Sequence, residues 1–588
     1  MAKKGFQTNV QDLIYSVDSG VGLKLIRMVL YLLILMAVCL VYTGTQFHGF
    51  KDEASMDYAQ LARNLAEKKS FVTQNVRPQS ISFLTREDSG ADPKIEFHPD
   101  LYRAPLYPFA MAVPMMAAKG MGHDLFAPPP EGRQLSRVFE PERWLSVPTN
   151  HVYVFLTGLF LYLLSRRIYN EQVSFWATTL YYLSDMVWAD SIAGIGLPMV
   201  SCFVIGAFYF AVCAEYSWRH NEAPARWSLL LIASALFAGF AFLTRYAAGI
   251  VGFGVFLYYI VNCWRRRLGW LPPLFFLAVF GLVITPWIAR NWMVSQSLFG
   301  LAPYCMLEGE GGLGDAESLR RNLEGTFGIG TLLGVAKTKW VSTISAVYKA
   351  GLFPSGGIAA SFFLVSYLRR VERKDAQSLR VIGLVTLALL LLVGGFFGTE
   401  TVRLCHAFWP LVLLFGVAFF FMILEEMELP FMLLNQIAVG AMVVLMAAPY
   451  VLTLMPPRPK MPYPTYYYSG IQHICGFYKP AEVICTDMPW ATAWYGNRVS
   501  LALPKTLEQF YEINDYRRDI KGLYFTLLTK DKKFTSELLE EEAGWFNLSV
   551  GQRPPEFPLQ SGLAPYPGQY LLTDYVRWSE VKQREEGK

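Results

Sequence analysis

A long series of apolar segments limits the folds open to this chain more than any other feature. Its 588 residues are 53% hydrophobic and only 17% charged, whereas soluble proteins carry about 25% charged residues. A helix needs roughly 20 apolar residues to cross a bilayer. Segments of about this length lie near 26–42, 150–165, 172–189, 192–215, 227–244, 246–263, 269–289, 346–367, 379–398, 404–424 and 430–453. The sequence therefore predicts a polytopic α-helical membrane protein.

Basic residues predict which loops face the cytoplasm, because cytoplasmic loops are rich in Lys and Arg. Lys3 and Lys4 precede the first segment, and later basic groups lie at 166–167, 219–226, 265–267 and 369–380. All of these fall on one side if the short apolar segment 105–118 does not cross. That segment contains three prolines and is nearer an interfacial length than a span. We therefore predict eleven crossings plus one interfacial element, with a cytoplasmic N-terminus and the loop 46–149 on the outer face. The polar start of the chain and the length of the first apolar segment also argue against a cleavable signal peptide.

An odd number of crossings places the rest of the chain outside the cytoplasm as well. A proline-rich stretch at 456–464 is typical of a linker, and strand-like and helical runs alternate after it. We predict a membrane domain over 1–454 and a soluble extracytoplasmic α/β domain over 455–588. In the soluble domain, Cys475 and Cys485 could form a disulfide in an oxidising compartment. Its stretch 487–498, rich in aromatic and polar residues, could contact a sugar or simply belong to the domain core.

The predicted topology gathers ionisable residues at the outer ends of the crossings. These are Asp52, Glu53, Arg103, Asp185, Asp190, Arg245, Arg290, Arg403 and His406. Ionisable groups at membrane depth are costly and usually face a cavity or one another. Each also has an ordinary explanation, since Asp52 could cap the helix that follows and an arginine could reach the lipid headgroups. As a set they predict a site with carboxylates for acid–base chemistry and arginines for a phosphate.

This combination fits the transfer of a sugar from a polyprenyl phosphate. Arginine stabilises the departing phosphate through charge-assisted, bidentate hydrogen bonds. A carboxylate accepts the proton of the attacking hydroxyl. One base and a stabilised phosphate are enough for a single displacement with inversion at the anomeric carbon.

Several short motifs resemble the GT-C membrane glycosyltransferases, in the branch of the protein O-mannosyltransferases and the lipid A aminoarabinose transferase. The stretch 52–63, Asp-Glu-Ala-Ser-Met-Asp-Tyr-Ala-Gln-Leu-Ala-Arg, resembles the family's first-loop motif, and Arg-Ala-Pro-Leu-Tyr-Pro at 103–108 resembles the element that ends this loop. Pro-Trp-Ile-Ala-Arg-Asn at 286–291 is similar to a third signature, with weaker matches at 243–245 and at Arg403 with Pro410. The resemblance covers roughly residues 20–450.

The resemblance implies roles for particular residues. Asp52 would be the base, and Arg103 would contact the lipid phosphate. Together with the predicted topology, it makes Glu53 a candidate for positioning the acceptor or a metal, and Arg245, Arg290 and Arg403 candidates for holding the phosphate.

This chain also departs from the family pattern at two positions. Tyr102 stands where aminoarabinose transferase relatives have an acidic residue linked to metal binding, and Gly196-Leu197-Pro198 replaces an Asp–hydrophobic–Pro element. Asp190 or Asp185 could supply the second carboxylate. A divalent metal remains an open alternative, with Asp52, Glu53 and His98 as candidate ligands, although a first-loop histidine is more often a surface residue.

We therefore predict a glycosyltransferase on the outer face of a prokaryotic inner membrane. Its partners would be a polyprenyl-phosphate-linked sugar, such as one on undecaprenyl phosphate, and a protein, lipid or polysaccharide acceptor, with no nucleic acid. One alternative is a transporter, but the sequence shows neither the paired repeats nor the mid-membrane charges typical of that class. The other is a membrane scaffold that presents the soluble domain without catalysis.

Overall fold

The helices of the membrane domain follow the apolar segments of the sequence. The computed structural model describes residues 21–68, 70–85, 97–127, 138–264, 266–305, 321–323, 357–370, 373–397, 403–428, 431–455, 467–530, 544–549 and 552–574. The helices up to residue 305 are α1 Val21–Gln46, α2 Glu53–Lys68, α3 Pro78–Thr85, α4 Leu106–Gly120, α5 Glu140–Ile168, α6 Glu171–Tyr182, α7 Asp185–Ile192, α8 Leu197–Arg219, α9 Pro224–Thr244, α10 Ile250–Cys263, α11 Leu271–Ser295 and α12 Ala302–Cys305. Later come α13 Gly357–Val365, α14 Lys374–Phe397, α15 Trp409–Glu426 and α16 Met432–Leu454, with 3₁₀ turns at Tyr246–Gly249, Ser366–Leu368 and Arg403–Phe408.

Nine helices of the described residues are long and apolar enough to cross a membrane, so the protein is a multi-span membrane protein. They correspond to nine of the eleven predicted segments. The predicted segment 346–367 lies partly outside the described residues, and its described part is a short apolar helix ending at Leu368. The proline-rich stretch 456–464 also lies outside them.

The predicted continuous helix over 172–189 is instead two helices, α6 and α7. The chain turns at Leu183 and Ser184, where the indole nitrogen of Trp188 donates to the carbonyl of Tyr182 at 2.7 Å. The Ser184 hydroxyl accepts from the indole nitrogen of Trp409 at 2.9 Å. The first bond satisfies a carbonyl that the broken helix leaves free, and the turn directs α7 toward the site described below.

Helix α4 covers the predicted interfacial element and has 15 residues. Tyr107, Met111 and Met115 are buried on one side, while Phe109, Val113 and Met116 are largely exposed. Both sides are apolar at helical spacing, and the buried side packs on α2 and α5. A helix of this length is too short to span the hydrocarbon core.

The soluble domain is built on a six-stranded mixed sheet. Its elements are α17 Tyr468–Gly476, β2 Val483–Thr486, α18 Pro489–Gly496, β3 Val499–Ala502, α19 Leu507–Tyr516, β4 Ile520–Phe525, a 3₁₀ turn at Leu527–Lys530, α20 Phe546–Ser549, β5 Ser561–Leu563 and β6 Tyr570–Thr573. The strand order is β1-β3-β2-β4-β6-β5, where β1 is Asn75–Val76, between α2 and α3. Strands β1, β3, β2 and β4 run parallel, and β6 and β5 continue antiparallel. All four residues of β2 are buried, as expected for a parallel strand with both faces covered.

The two cysteines of the soluble domain do not form the predicted disulfide. Both are buried free thiols. Cys475 on α17 belongs to the core that continues into the membrane helices, whereas Cys485 on β2 faces the separate core on the other side of the sheet. The sheet therefore separates the two sulfur atoms.

The soluble domain is joined to α2 and the start of α5 through buried polar contacts. Arg63 donates to the carbonyls of Ala493 and Trp494 at 2.6 and 2.8 Å. The buried carboxylate of Glu142 accepts from the indole nitrogen of Trp494 at 3.0 Å and from the backbone N–H of Phe50 at 2.9 Å. These bonds fix the chain two residues before Asp52.

Candidate active site

Two neighbouring groups of charged residues meet at the start of α2. Asp52 directly precedes this helix, and Asp57 lies on its second turn, about 8 Å along the helix axis at 1.5 Å per residue. Glu53 lies between them, with its carboxylate 3.8 Å from the guanidinium of Arg77. Helix α2 therefore sets the spacing of the site.

The first group joins three separate parts of the chain through Arg403: the start of α2, helix α7 and the turn Arg403–Phe408. One guanidinium nitrogen lies 3.3 Å from the Asp52 carboxylate, and the other lies 3.3 Å from Asp190. The second oxygen of Asp190 is 2.7 Å from Nδ1 of His406. Asp52 is 39% exposed and Asp190 only 8%, so Asp52 is the carboxylate of this group that a substrate could reach.

Asp190 is held in its ionised form. Burial alone would raise the pKa of its carboxyl, but His406 and Arg403 outweigh burial and hold the pKa below its usual range. Asp185, the other predicted alternative, accepts instead from the hydroxyl of Tyr42 at 3.1 Å.

The second group surrounds Asp57, which the sequence analysis quoted only as part of a motif. Its Oδ2 atom accepts from Arg103 Nε at 2.8 Å and from Arg77 at 2.9 Å. Its Oδ1 accepts from Asn75 at 3.1 Å. Burial raises the pKa of Asp57, but the two arginines outweigh it and hold the pKa well below the usual range. Asp57 is 0% exposed, so it acts here as an anchor for the two guanidinium groups.

Asp100 is a further buried carboxylate that sequence reasoning missed. Its Oδ2 accepts from the backbone N–H groups of Tyr102 and Arg103 at 3.2 and 2.7 Å. Burial, with the nearby charge of Asp57, raises its pKa to about 6. The only sequence signal was its position, three residues before Arg103.

The remaining predicted arginines also contact this region. Arg290 donates to the backbone carbonyl of Asp100 at 2.6 Å. Arg103 and Arg245 both lie over the ring of Tyr58, at 4.9 and 5.7 Å from its centroid. All four arginines predicted from the sequence therefore have contacts with α2, with Asp52 directly before it, or with the segment 100–103.

The missing carboxylate of the Gly196-Leu197-Pro198 element has a structural explanation. Gly196 has φ +74°, which side chains rarely adopt, and a Cβ atom there would lie 2.9 Å from the ring of Tyr107. Gly194 has φ +73°, and a Cβ there would lie 2.5 Å from Phe50. Gly194 therefore lets the turn before α8 pack closely against the loop that carries Asp52, and Gly196 lets the same turn pack against α4.

The candidate metal ligands do not form a metal site. His98 is fully buried, bonds to the hydroxyl of Ser80 at 2.7 Å, and has a pKa lowered to about 3 by burial and the charge of Arg77. Within the ranges the structure describes, no three His, Cys, Asp or Glu side chains are grouped to hold a metal ion. Asp52, Glu53 and His98 are therefore not a ligand set, and the idea of a surface histidine is also wrong.

The aromatic stretch 487–498 of the soluble domain has a structural role. Asp487 accepts from the backbone and hydroxyl of Thr526, both at 2.9 Å. Trp494 is completely buried on helix α18, in agreement with the alternative that this stretch belongs to the domain core. Its ring is therefore not available to stack on a sugar.

Comparison with solved structures identifies the architecture. An oligosaccharyltransferase from Archaeoglobus fulgidus, crystallised with Zn and sulfate, aligns with a TM-score of 0.55 and 12% identity over 87% of this chain and 70% of that one. AglB from the same organism, in complex with an inhibitory peptide and a dolichol-phosphate, gives 0.54 and 11% over 93% and 74%. The chain has the GT-C fold.

A family model also matches part of the chain. Residues 135–289 match the family model of dolichyl-phosphate-mannose-protein mannosyltransferase. ArnT from Cupriavidus metallidurans, bound to undecaprenyl phosphate, aligns over 93% of this chain and 97% of that one with 10% identity, but its TM-score of 0.43 is too low to support an inference. A search of curated proteins gives no match. The GT-C resemblance seen in the sequence is thus confirmed, and the family match ends one residue before Arg290.

Proposed function

We propose that this protein is a glycosyltransferase that moves a sugar from a polyprenyl phosphate to an acceptor hydroxyl. The observation that carries the proposal is the placement of Asp52, a substrate-accessible carboxylate bonded to Arg403. Buried Asp57, on the second turn of α2, is by contrast fully occupied by two arginines. The site thus offers one reachable proton acceptor among several guanidinium groups.

The proposed reaction is a single displacement. The acceptor oxygen attacks the anomeric carbon and forms the new glycosidic bond, while the bond from that carbon to the phosphate oxygen breaks. The acceptor proton passes to Asp52, and the electron pair leaves with the polyprenyl phosphate. Arg103, Arg245, Arg290 and Arg403 stabilise the phosphate charge, and the anomeric configuration inverts.

Arg403 has two tasks in this mechanism. Without donor it occupies one oxygen of Asp52, and Asp190 and His406 hold its other side in place. A donor phosphate competes for the same guanidinium. Donor binding would therefore free the Asp52 oxygen to accept the proton, and Asp190 would act as a positioning residue.

The orientation and partners follow the topology predicted from the basic loops. The site and the soluble domain would face outward from a prokaryotic inner membrane, with the N-terminus in the cytoplasm. A lipid-linked donor agrees with the dolichol-phosphate bound by AglB, and a protein acceptor with the acceptor peptide tethered to the Archaeoglobus fulgidus oligosaccharyltransferase. Glu53 would help to position the acceptor. No step is assigned to a metal.

The direct test combines Asp52→Asn with a panel of polyprenyl-phosphate sugars and mass spectrometry of the products. We expect the variant to lose about 10²–10⁴-fold in transfer rate while it still binds the lipid phosphate. Asp519→Asn is a matched control, because Asp519 is 75% exposed on the soluble domain. A fully active Asp52→Asn variant would exclude Asp52 as the base, and no transfer from any lipid-linked sugar by the wild type would exclude the donor class.

A further inference from the structure

A basic cleft lies at the end of the helix bundle opposite the candidate active site. Helix α8 begins next to Ile195, whose carbonyl accepts from Arg245 at 2.9 Å, and its 23 residues extend about 34 Å away. At its far end, together with the end of α5 and the start of α9, it forms an open cleft of about 460 Å³. This cleft is separate from every residue of the site described above.

The walls of the cleft combine positive charge with aromatic and apolar surface. Its lining includes Arg166, Arg167, Tyr209, Tyr216, Arg226 and Leu230. The guanidinium of Arg167 lies over the ring of Tyr216, 3.9 Å from the centroid. Glu222 is an acidic side chain in the same lining; it bonds to Arg226 at 3.3 Å and to the hydroxyl of Ser217 at 2.5 Å. Three arginines against one glutamate leave the cleft with a net positive charge.

We propose that this cleft binds the phosphate headgroup of an anionic phospholipid in the leaflet opposite the active site. Guanidinium groups bind phosphate oxygens through paired hydrogen bonds, and basic pockets between membrane helices bind such headgroups. Tyrosines are typical of the membrane–water boundary, and Leu163 and Leu230 provide apolar surface beside them for the start of an acyl chain. A free phosphate would use the charge of the cleft but not this apolar surface.

The arginines of the cleft have a competing explanation: they could serve only to orient the protein in the membrane, because arginines at this end also fit the positive-inside rule. That rule needs only charge in the loops, wherever the side chains lie. Arg267 and Arg370 carry such charge outside the lining of the cleft. Their replacement therefore separates a general effect of charge from binding in the cleft.

The test measures binding of phosphatidylglycerol and phosphatidylcholine to the purified full-length protein by native mass spectrometry. We expect Arg167→Gln with Arg226→Gln to weaken phosphatidylglycerol binding about tenfold or more, because two charge-assisted contacts are lost. The matched variant Arg267→Gln with Arg370→Gln should bind like the wild type, and phosphatidylcholine should bind weakly to all three. Arg226→Gln alone should also weaken binding, and since Arg226 is 68% exposed this change leaves the fold intact.

Two results would overturn the proposal. Equal weakening in both double variants would show that the lipid responds only to the overall charge at this end. Displacement of phosphatidylglycerol by an equal concentration of inorganic phosphate would show that the cleft recognises the free ion rather than a lipid.

Discussion

The buried carboxylate of Asp57 supports a strong prediction, because one oxygen atom holds two arginines. Asp57→Asn retains the size of the side chain and one acceptor oxygen but removes the negative charge. Arg77 and Arg103 then remain buried at 3% and 5% exposure without the carboxylate that both contact. Removing one partner of a buried ion pair typically costs about 3–5 kcal/mol.

Neighbouring contacts place the expected loss near the lower end of that range. Arg77 stays within 3.8 Å of Glu53, and both guanidinium groups lie 4.4 Å from the ring centroid of Tyr102. Cation–π contacts contribute about 0.5–2 kcal/mol. We therefore expect the free energy of unfolding to fall by about 3 kcal/mol in Asp57→Asn.

The assay is denaturant-induced unfolding of the purified protein in detergent, with Asp519→Asn as the matched control. Asp519 pairs with Lys521 at 3.4 Å on an exposed surface, where such pairs contribute about 0–1 kcal/mol. A double-mutant cycle with Arg77→Gln would isolate the pair itself. If Asp57→Asn lost no more stability than Asp519→Asn, the assignment of Asp57 as the anchor of the site would be wrong.

The contribution of Asp57 to the free energy of unfolding depends on pH. The pKa of Asp57 is lower in the folded protein than its unfolded value of about 3.9. Its stabilisation is therefore present above about pH 4 and is lost as the pH falls toward the folded pKa. The wild type should lose stability on acidification through this window, and Asp57→Asn should lose less.

Four further predictions concern the site and its surroundings. The pH dependence of stability from Asp100 is opposite to that from Asp57. Because the pKa of Asp100 is raised to about 6, its contribution to the free energy of unfolding is full below about pH 4 and is lost as the pH rises toward 6. The free energy of unfolding of Asp100→Asn should lack this decrease. Arg403→Lys keeps one charge but cannot bridge two carboxylates as the guanidinium does, so steady-state transfer kinetics should show a lower kcat, whereas an unchanged kcat would refute its dual task. Trp494→Phe removes one donor to the buried carboxylate of Glu142 and should cost about 1–3 kcal/mol in unfolding free energy. The control is Phe510→Leu, a change in the core on the other side of the sheet. If transfer activity falls in Trp494→Phe but not in Phe510→Leu, the link from the soluble domain to the Asp52 loop is supported. Finally, a cysteine placed at Arg266 should react with a membrane-impermeant thiol reagent only from the cytoplasmic side, and one placed at position 87, which lies outside the described residues, only from the outer side; labelling of position 266 from outside would reverse the proposed topology.

The contact between Asp52 and Arg403 shows what can and what cannot be predicted from the sequence. Asp52 and Arg403 are 351 residues apart in sequence, yet their side chains lie 3.3 Å apart. A shared side of the membrane could be predicted for them from the loop charges alone. Their pairing could not, because it depends on how α2, α7 and the turn Arg403–Phe408 pack, and no periodicity in the sequence encodes that packing.

Motif reasoning did not identify Asp57, Arg77 or Asp100 as residues of the site. Each is an ordinary polar residue in a polar loop, and the sequence carries no sign that the loop folds back and buries them. Burial by distant segments, including the strand pairing of Asn75 with Ser500, converts them into a charged network. His98 was misread for the same reason, since its burial against Ser80 is a tertiary effect.

The sequence by itself determined that this chain crosses a membrane many times and which of its segments are helical, because apolar length and charge distribution are local properties that the bilayer selects. It also determined the GT-C resemblance through a few short motifs. Only the tertiary structure decided that the segment 172–189 breaks, that the sheet takes its edge strand β1 from the segment between α2 and α3, and that Asp57 rather than a solvent-exposed group holds Arg103. These depend on contacts between residues far apart in the chain, where packing and desolvation outweigh local preference.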